Sequence, residues 1–179
     1  SCSTATAANG IDPLSVAHCL SFSVQQGYAG ANVWDINACV VYTSNPNPNE
    51  PEPPCMKQMV HLVQGLTDVP LFTDSAMPEA LEMGLQMAEG RPLLNSVTGE
   101  EDRLEFVLPL VQKYNVPVVA ISNDDTGISE DPDVRFAVAK KIVERAADFN
   151  IPAYDIVVDP LVMPIGAMAT AGQQVFTLV

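Results

Sequence analysis

The chain has 179 residues, of which 47% are hydrophobic, enough for one domain with a sizeable core. Its formal net charge of −14 argues against nucleic-acid binding, because a phosphate backbone requires a basic surface. No apolar run is long enough to cross a bilayer, and the N-terminus lacks the basic and apolar regions of a secretory signal. We therefore expect a soluble, cytoplasmic protein that acts on neither membranes nor nucleic acids.

The cysteines and histidines show no spacing typical of a zinc site, and no C-x-x-C motif occurs. The residues concerned are Cys2, Cys19, Cys39, Cys55, His18 and His61. We expect no metal site and no disulfide. No Ser/His/Asp or Cys/His constellation and no glycine-rich phosphate loop is recognisable, so nucleophilic catalysis is not expected.

The first third of the chain predicts one helix, one strand and a long loop before a second helix. Residues 1–12 carry little pattern and are expected to be irregular, which places the domain over 13–179. The predicted elements are a helix over 13–27, a strand over 31–36, a Pro/Asn/Glu-rich loop over 43–54 and a helix over 55–66.

Residues 69–111 read as strand, helix, strand, helix. The apolar run Val69–Phe72 precedes Asp74, and a helical pattern follows with Pro78 in its first turn and Gly90 as its stop. A second short apolar run then ends on Asn95. The segment after it, TGEE, has the spacing of a helix capping box.

The rest of the chain continues the alternation of strands and helices. The predicted elements are a strand over 116–121, a loop over 126–130, a helix from Asp131 to about Asn150, a strand over 156–158 and a helix over 171–179. Five strands alternating with helices predict an α/β fold with a parallel sheet.

Polar side chains stand at the carboxyl end of each predicted strand, and in a βα repeat these ends share one edge of the sheet. The residues that we expect at a common site are Asp35, Asn37, Asp74, Asn95 and Asp159. Asp and Asn are also ordinary cap and turn residues, and at any single position that interpretation is about as good. For the set together we favour a site, whereas Ser122, Asn123, Asp124 and Asp125 fit loop chemistry better. An array of carboxylates and amides suits a ligand rich in N–H donors, such as a pterin.

Four motifs at these positions resemble the pterin-binding domain family, which includes dihydropteroate synthase. They are VPLFTDS (69–75), GRPLLNSVTGEEDR (90–103), VPVVAISNDDTGI (116–128) and DIVVDPLVMP (155–164). Within the family the chain most resembles methyltetrahydrofolate:corrinoid methyltransferases. The loop DINACVVYTSNP lacks the arginine of the dihydropteroate synthase pattern, which favours the methyltransferase branch.

The resemblance implies a (β/α)₈ barrel in which Asp74, Asn95 and Asp159 hold the pterin ring, with Asp35 and Asn37 on the same rim. The implied reaction moves a methyl group between N5 of tetrahydrofolate and the cobalt of a corrinoid, which a partner protein carries. Two alternatives remain open: a non-catalytic pterin-binding remnant of such an enzyme, and a dihydropteroate synthase-like transferase.

A barrel of this type takes about 250 residues, and only five to six βα units are recognisable here. We expect the first strand to be missing before residue 13. The seventh and eighth strands, with the Asn that activates N5, would follow Val179. On this interpretation the segment alone is not expected to catalyse transfer, and open sheet edges near 31–36 and 155–158 would favour association into a homodimer.

Overall fold

The computed structural model describes residues 6–7, 10–11, 21, 23–38, 52–164, 166 and 171–179. The chain forms two compact units, Ser1–Leu94 and Asn95–Val179. The assignment of residues 13–179 to a single domain stays a prediction.

Two short strands precede the main sheet. Strand β1 (Thr6–Ala7) pairs antiparallel with β2 (Gly10–Ile11). The prediction that residues 1–12 are irregular is wrong for these two strands, because the run of small residues there lacks the apolar alternation by which a strand is recognised. Within the helix predicted over 13–27, residues 21 and 23–27 are helical, the helix continues to residue 28, and residues 13–20 and 22 lie outside the described residues.

The main sheet has five strands whose order in space is their order in the chain. They are β3 (Trp34–Asn37), β4 (Leu71–Asp74), β5 (Leu93–Val97), β6 (Val118–Ile121) and β7 (Ile156–Asp159). The pairs β3–β4 and β6–β7 are parallel. The predicted α/β class with parallel, sequentially adjacent strands is confirmed.

Helices separate these strands. They are α1 (Glu52–Gln64), α2 (Pro78–Met87), α3 (Glu101–Tyr114), α4 (Pro132–Asp148) and α5 (Ala171–Leu178). In the part of the chain that is described, no helix has both the length and the apolar character that a membrane crossing requires.

Helix α1 begins earlier than the sequence indicates. The prediction of a loop over 43–54 is wrong for residues 52–54, which form the first turn of the helix, and residues 43–51 lie outside the described part of the chain. Pro53 and Pro54 are compatible with this turn because the first N–H groups of a helix have no intrahelical acceptor to lose.

The predicted capping box before α3 is also wrong. The N-cap is Glu100, whose side chain makes no cap hydrogen bond. Strand β5 runs on to Val97, and the N–H of Gly99 donates to the carbonyl of Asn123 at 2.8 Å, so the backbone here joins two loops instead of capping a helix. The predicted start of a helix at Asp131 is confirmed for α4, where Asp131 is the N-cap and its side chain accepts a hydrogen bond from the N–H of Asp133 at 2.9 Å.

In the first unit, an apolar cluster decides which way the strands face. Trp34 and Ile36 of β3 are buried in one cluster with Leu71 of β4 and with Met56 and Val60 of α1. Because side chains alternate across a strand, the residues between them and at the strand end point to the opposite face. The sheet therefore presents Asp35, Asn37 and Asp74 away from α1.

Gly84 lets α2 pack closely on β4, and this gives a first prediction. A Cβ at Gly84 would lie 2.8 Å from Thr73 Cγ2 and 3.3 Å from Met56 Cγ. We expect Gly84→Ala to lower the free energy of unfolding, because overpacking costs about 1–3 kcal/mol and outweighs a helix-propensity gain of up to about 1 kcal/mol. Urea unfolding followed by circular dichroism measures the change.

Gly172 of α5 supplies the control, since no heavy atom lies within 4 Å of the Cβ that an alanine would add there. Gly172→Ala should leave the stability unchanged or slightly raised. Equal losses in the two variants would contradict the close-packing explanation.

Candidate functional site

Two of the five predicted site residues, Asn37 and Asp74, lie side by side at the carboxyl ends of β3 and β4, and a third, Asp35, lies two residues before Asn37 in β3. The parallel register sets Asn37 opposite Asp74 and Asp35 opposite Phe72. Asn37 Nδ2 donates to Asp74 Oδ2 at 2.7 Å. Among the described residues, no hydrogen bond involves Asp74 Oδ1. The amide thus orients the carboxylate and leaves one of its oxygens available as an acceptor.

The carboxyl group of Asp35 is harder to ionise than an ordinary aspartate. Its pKa rises from 3.8 to about 6, mainly because neighbouring protein removes water from the charged form and also because the charge of Asp74 repels it. The side chain nevertheless stays accessible to solvent. Near neutral pH Asp35 can therefore exchange a proton with a ligand as well as accept a hydrogen bond.

The turn after β4 is held by two buried residues that the sequence reasoning did not single out as site residues. Ser75 Oγ donates to the carboxylate of Glu52, the first residue of α1, and accepts a hydrogen bond from the N–H of Met77 at 2.9 Å. Both Ser75 and Glu52 are 2% exposed. The bond joins residues 23 positions apart. No local sequence pattern indicates it, because it depends on the fold placing the start of α1 beside the end of β4. Its effect is to fix the backbone that follows Asp74.

In the second unit Asp159 ends β7 and is tied into a turn. The register places it beside Ile121 of β6. Its backbone carbonyl accepts hydrogen bonds from the N–H and the Oγ of Ser122 at 3.1 and 3.0 Å. Its side-chain Oδ1 accepts the N–H of Leu161 at 2.8 Å. Within the described residues Oδ2 has no hydrogen bond, so Asp159, like Asp74, keeps one carboxylate oxygen as an available acceptor.

Asn95 occupies a different position from the one predicted. It lies inside β5, which continues to Val97, whereas the sequence suggested that the strand ends there. Neighbouring Leu94 is fully buried and Asn95 is half-buried. Asn95 and Asp159 belong to the same unit, on strands separated by β6. The convergence of all five residues on one cleft stays a prediction.

Asp124 does what the sequence suggested for the loop after β6. Its Oδ1 accepts hydrogen bonds from the N–H and the Oγ1 of Thr126 at 2.9 and 2.7 Å, which closes a tight turn. These bonds hold the pKa of Asp124 below its usual value. Asp124 is therefore a turn residue.

The described residues contain no group of three or more His, Cys, Asp and Glu side chains that could hold a metal ion. Cys55 is buried and free, and burial followed by the charge of Glu52 raises its pKa to about 11. Such a thiol stays protonated at neutral pH and is a poor nucleophile. The other three cysteines lie outside the described residues.

The raised pKa of Asp35 gives a pH-dependent prediction. The folded state binds the proton more tightly than the unfolded chain, so this group's contribution to stability is present at low pH and is lost as pH rises through about 6. We expect Asp35→Asn to be more stable than the wild type at pH 7, with the difference shrinking toward about pH 4. Urea unfolding across this pH range measures both chains.

Asp124→Asn is the matched control with the opposite sign. The pKa of Asp124 is lowered, so this substitution should cost stability at pH 7 and cost less as the pH falls toward about 4. Parallel pH profiles for the two variants would contradict the assigned directions.

Known proteins similar to this chain include a methylcorrinoid:tetrahydrofolate methyltransferase and two methionine synthases. A methylcorrinoid:tetrahydrofolate methyltransferase from Eubacterium limosum is 30% identical over 145 residues, covering 80% of this chain and 51% of that protein. A methionine synthase from Mycobacterium leprae is 25% identical over 153 residues, covering 82% of this chain and 12% of that protein. The chain thus spans about half the length of the first relative and a small part of the second.

Solved structures with a similar fold are dihydropteroate synthases. The enzyme from Xanthomonas albilineans with 4-aminobenzoic acid superposes with a TM-score of 0.66 at 16% identity, covering 92% of this chain and 59% of that one. The enzyme from Vibrio fischeri gives a TM-score of 0.61 at 14% identity, covering 83% and 57%. At such identities the likeness shows the fold alone, and it confirms the predicted class, an incomplete (β/α)₈ barrel.

The match to a family model is the most extensive of these comparisons. The model of the pterin binding enzymes matches residues 5–176, and so begins upstream of residue 13, where the sequence placed the start of the domain. Because this match covers nearly the whole chain, the chain belongs to the pterin binding enzyme family.

Proposed function

We propose that this chain binds a tetrahydropterin at the carboxyl ends of its strands and serves in methyl transfer between N5 of tetrahydrofolate and the cobalt of a corrinoid. The substrate is tetrahydrofolate or methyltetrahydrofolate. In this proposal the corrinoid is carried by a partner protein, no residue of this chain is assigned to hold it, and the chain itself associates as a homodimer.

The observation that carries the proposal is the half-satisfied state of two carboxylates. Asn37 occupies one oxygen of Asp74, and the N–H of Leu161 occupies one oxygen of Asp159. The other oxygen of each carboxylate has no hydrogen bond within the described residues, and the bonded oxygen keeps a second lone pair, so both oxygens can accept from a ligand. A pterin offers a ring N–H beside an exocyclic amine, and two parallel donors are what such a carboxylate accepts. The side-chain amide of Asn95 can accept a hydrogen bond from one group of the pterin and donate one to a neighbouring group.

The chemistry at N5 determines what the protein must supply. When the N5–CH₃ bond breaks, N5 keeps the bonding electron pair, and an amine is a poor leaving group unless it is protonated or hydrogen-bonded. The cobalt of the corrinoid supplies the nucleophile for the methyl group. No residue of this chain is assigned to supply the proton or hydrogen bond at N5. The residues of this chain bind and orient the ring and exclude water, which requires no side-chain nucleophile.

Two alternatives differ from this proposal in measurable ways. A dihydropteroate synthase-like transferase would join a pterin to an aromatic amine. The sequence DINACVVYTSNP, which begins at Asp35 in β3, contains no arginine for the phosphate of its substrate. The relatives with the higher sequence identities are named as a methyltransferase and a methionine synthase. A non-catalytic pterin-binding protein would bind tetrahydrofolate without transferring a methyl group.

The binding residues give a prediction for affinity. Removing one partner of a charged hydrogen bond costs roughly 1.5–3 kcal/mol, or about ten- to a hundredfold in affinity. We expect Asp159→Asn and Asn95→Ala each to weaken tetrahydrofolate binding by that amount. Isothermal titration calorimetry of the purified protein measures the dissociation constants.

Asp124→Asn and Asp125→Asn are the controls, since both residues lie in the loop after β6, and they should change the affinity much less. Equal affinities for the wild type and Asp159→Asn would contradict the pterin assignment. A methyl-transfer assay with methyltetrahydrofolate and a corrinoid protein, carried out on this chain extended to full barrel length, separates the catalytic proposal from binding alone.

A further inference from the structure

A buried arginine stands behind the turn that carries Asp159. Arg135, in the first turn of α4, is 1% exposed. Its Nη1 donates to the carbonyls of Pro160 and Leu161 at 3.0 Å each, and its Nε donates to the carbonyl of Ser129. All these residues belong to the second unit. Arg135 thus joins the loops that follow β6 and β7.

The burial of this guanidinium is costly, which is why its contacts matter. Within the described residues it makes no ion pair, and its Nη2 has no hydrogen-bond partner. A buried charge without an opposite charge is destabilising unless hydrogen bonds compensate for lost water. Here backbone carbonyls replace the lost water as hydrogen-bond acceptors for the guanidinium. The same bonds fix the position of the backbone around Arg135.

The backbone it holds is strained. Leu161 has a φ of +55°, a left-handed conformation that side chains other than glycine rarely adopt without support. Its carbonyl accepts from Arg135, while its N–H donates to Asp159 Oδ1 at 2.8 Å. The orientation of the Asp159 carboxylate therefore depends on the turn geometry that Arg135 maintains.

We propose that Arg135 is a positioning residue for Asp159: by holding the carbonyls of Pro160 and Leu161 it keeps the Leu161 N–H on Oδ1 and aims Oδ2 at the ligand. Arg135 itself is buried and does not touch the ligand. The part that concerns the ligand rests on the proposed function, whereas the part that concerns the turn does not.

The first test needs no ligand. Hydrogen exchange of the Leu161 amide, followed by NMR in the folded chain, reports whether its bond to Asp159 survives. Arg135→Lys keeps the charge but loses the planar fork whose Nε and Nη1 reach the loops after β6 and β7 at once. We expect exchange at Leu161 to accelerate on the order of tenfold in this variant, as the turn opens locally, and more in Arg135→Met.

Arg145→Lys is the matched control on the same helix. Arg145 forms an ion pair with Glu101 on the surface, at 2.7 Å, and its substitution should leave Leu161 exchange unchanged. If Arg135→Lys also leaves it unchanged, the inference is overturned. Arg135→Lys alone decides this test if Arg135→Met does not fold.

The second test is a double-mutant cycle with the affinity for tetrahydrofolate as its readout. A misdirected binding group costs roughly tenfold or more, so Arg135→Lys should weaken binding about tenfold in the wild-type background. If Arg135 acts through Asp159, the same change in an Asp159→Asn background should cost less than about twofold.

The outcomes separate the two proposals. Wild type that does not bind tetrahydrofolate overturns the proposed function, while Leu161 exchange still decides the positioning of the turn. Wild type that binds, combined with fully additive losses in the cycle, overturns the link between Arg135 and Asp159. A purely structural role would lower the unfolding free energy equally in both backgrounds and would not produce the non-additive affinity.

Discussion

The register of the parallel strands is the constraint on which the candidate site depends. It sets Asn37 beside Asp74 in the first unit and Ile121 beside Asp159 in the second. The register is itself enforced by burial, since Trp34 and its alternate neighbours fill the apolar cluster against α1. A slip by one residue would bury the polar face of β3 and expose the apolar one. The packing of the helices therefore determines where the carboxylates lie.

The loops at the carboxyl ends are joined to neighbouring elements by hydrogen bonds between residues distant in sequence, and these bonds do not depend on a ligand. Ser75 binds Glu52 after β4, and Gly99 binds the carbonyl of Asn123 after β5. Ser122 binds the carbonyl of Asp159 after β6. Polar residues placed on such fixed loops keep their directions in the absence of ligand, and preorganised groups bind more strongly because less ordering remains to be done.

The sequence predicted the elements of this fold better than the ends of those elements. Apolar runs and helical spacing located all five strands of the main sheet, since these patterns reflect burial. The start of α1 and the cap of α3 were missed because local rules compete there: prolines read as a loop also suit a first helical turn, and the TGEE segment is used for a loop-to-loop bond. The role of Arg135 could not be predicted, because its carbonyl partners at Pro160 and Leu161 lie 25 and 26 residues away.

An aspartate at the end of a strand can stabilise a turn and bind a ligand at the same time. A carboxylate has two oxygens, and Asp159 uses one of them to hold the Leu161 N–H. Asp74 likewise has one oxygen held by the amide of Asn37. Asp124 also has a single oxygen held, because both bonds from Thr126 fall on Oδ1, but it lies in an exposed turn beyond β6 and not at the end of a strand. A structural bond on one oxygen fixes the direction of the other, so the same turn chemistry that makes Asp common after strands also prepares it to meet a ligand. A neighbour that occupies one oxygen orients the other, and a position at the end of a strand, which Asp124 does not have, places that oriented acceptor at the edge of the sheet.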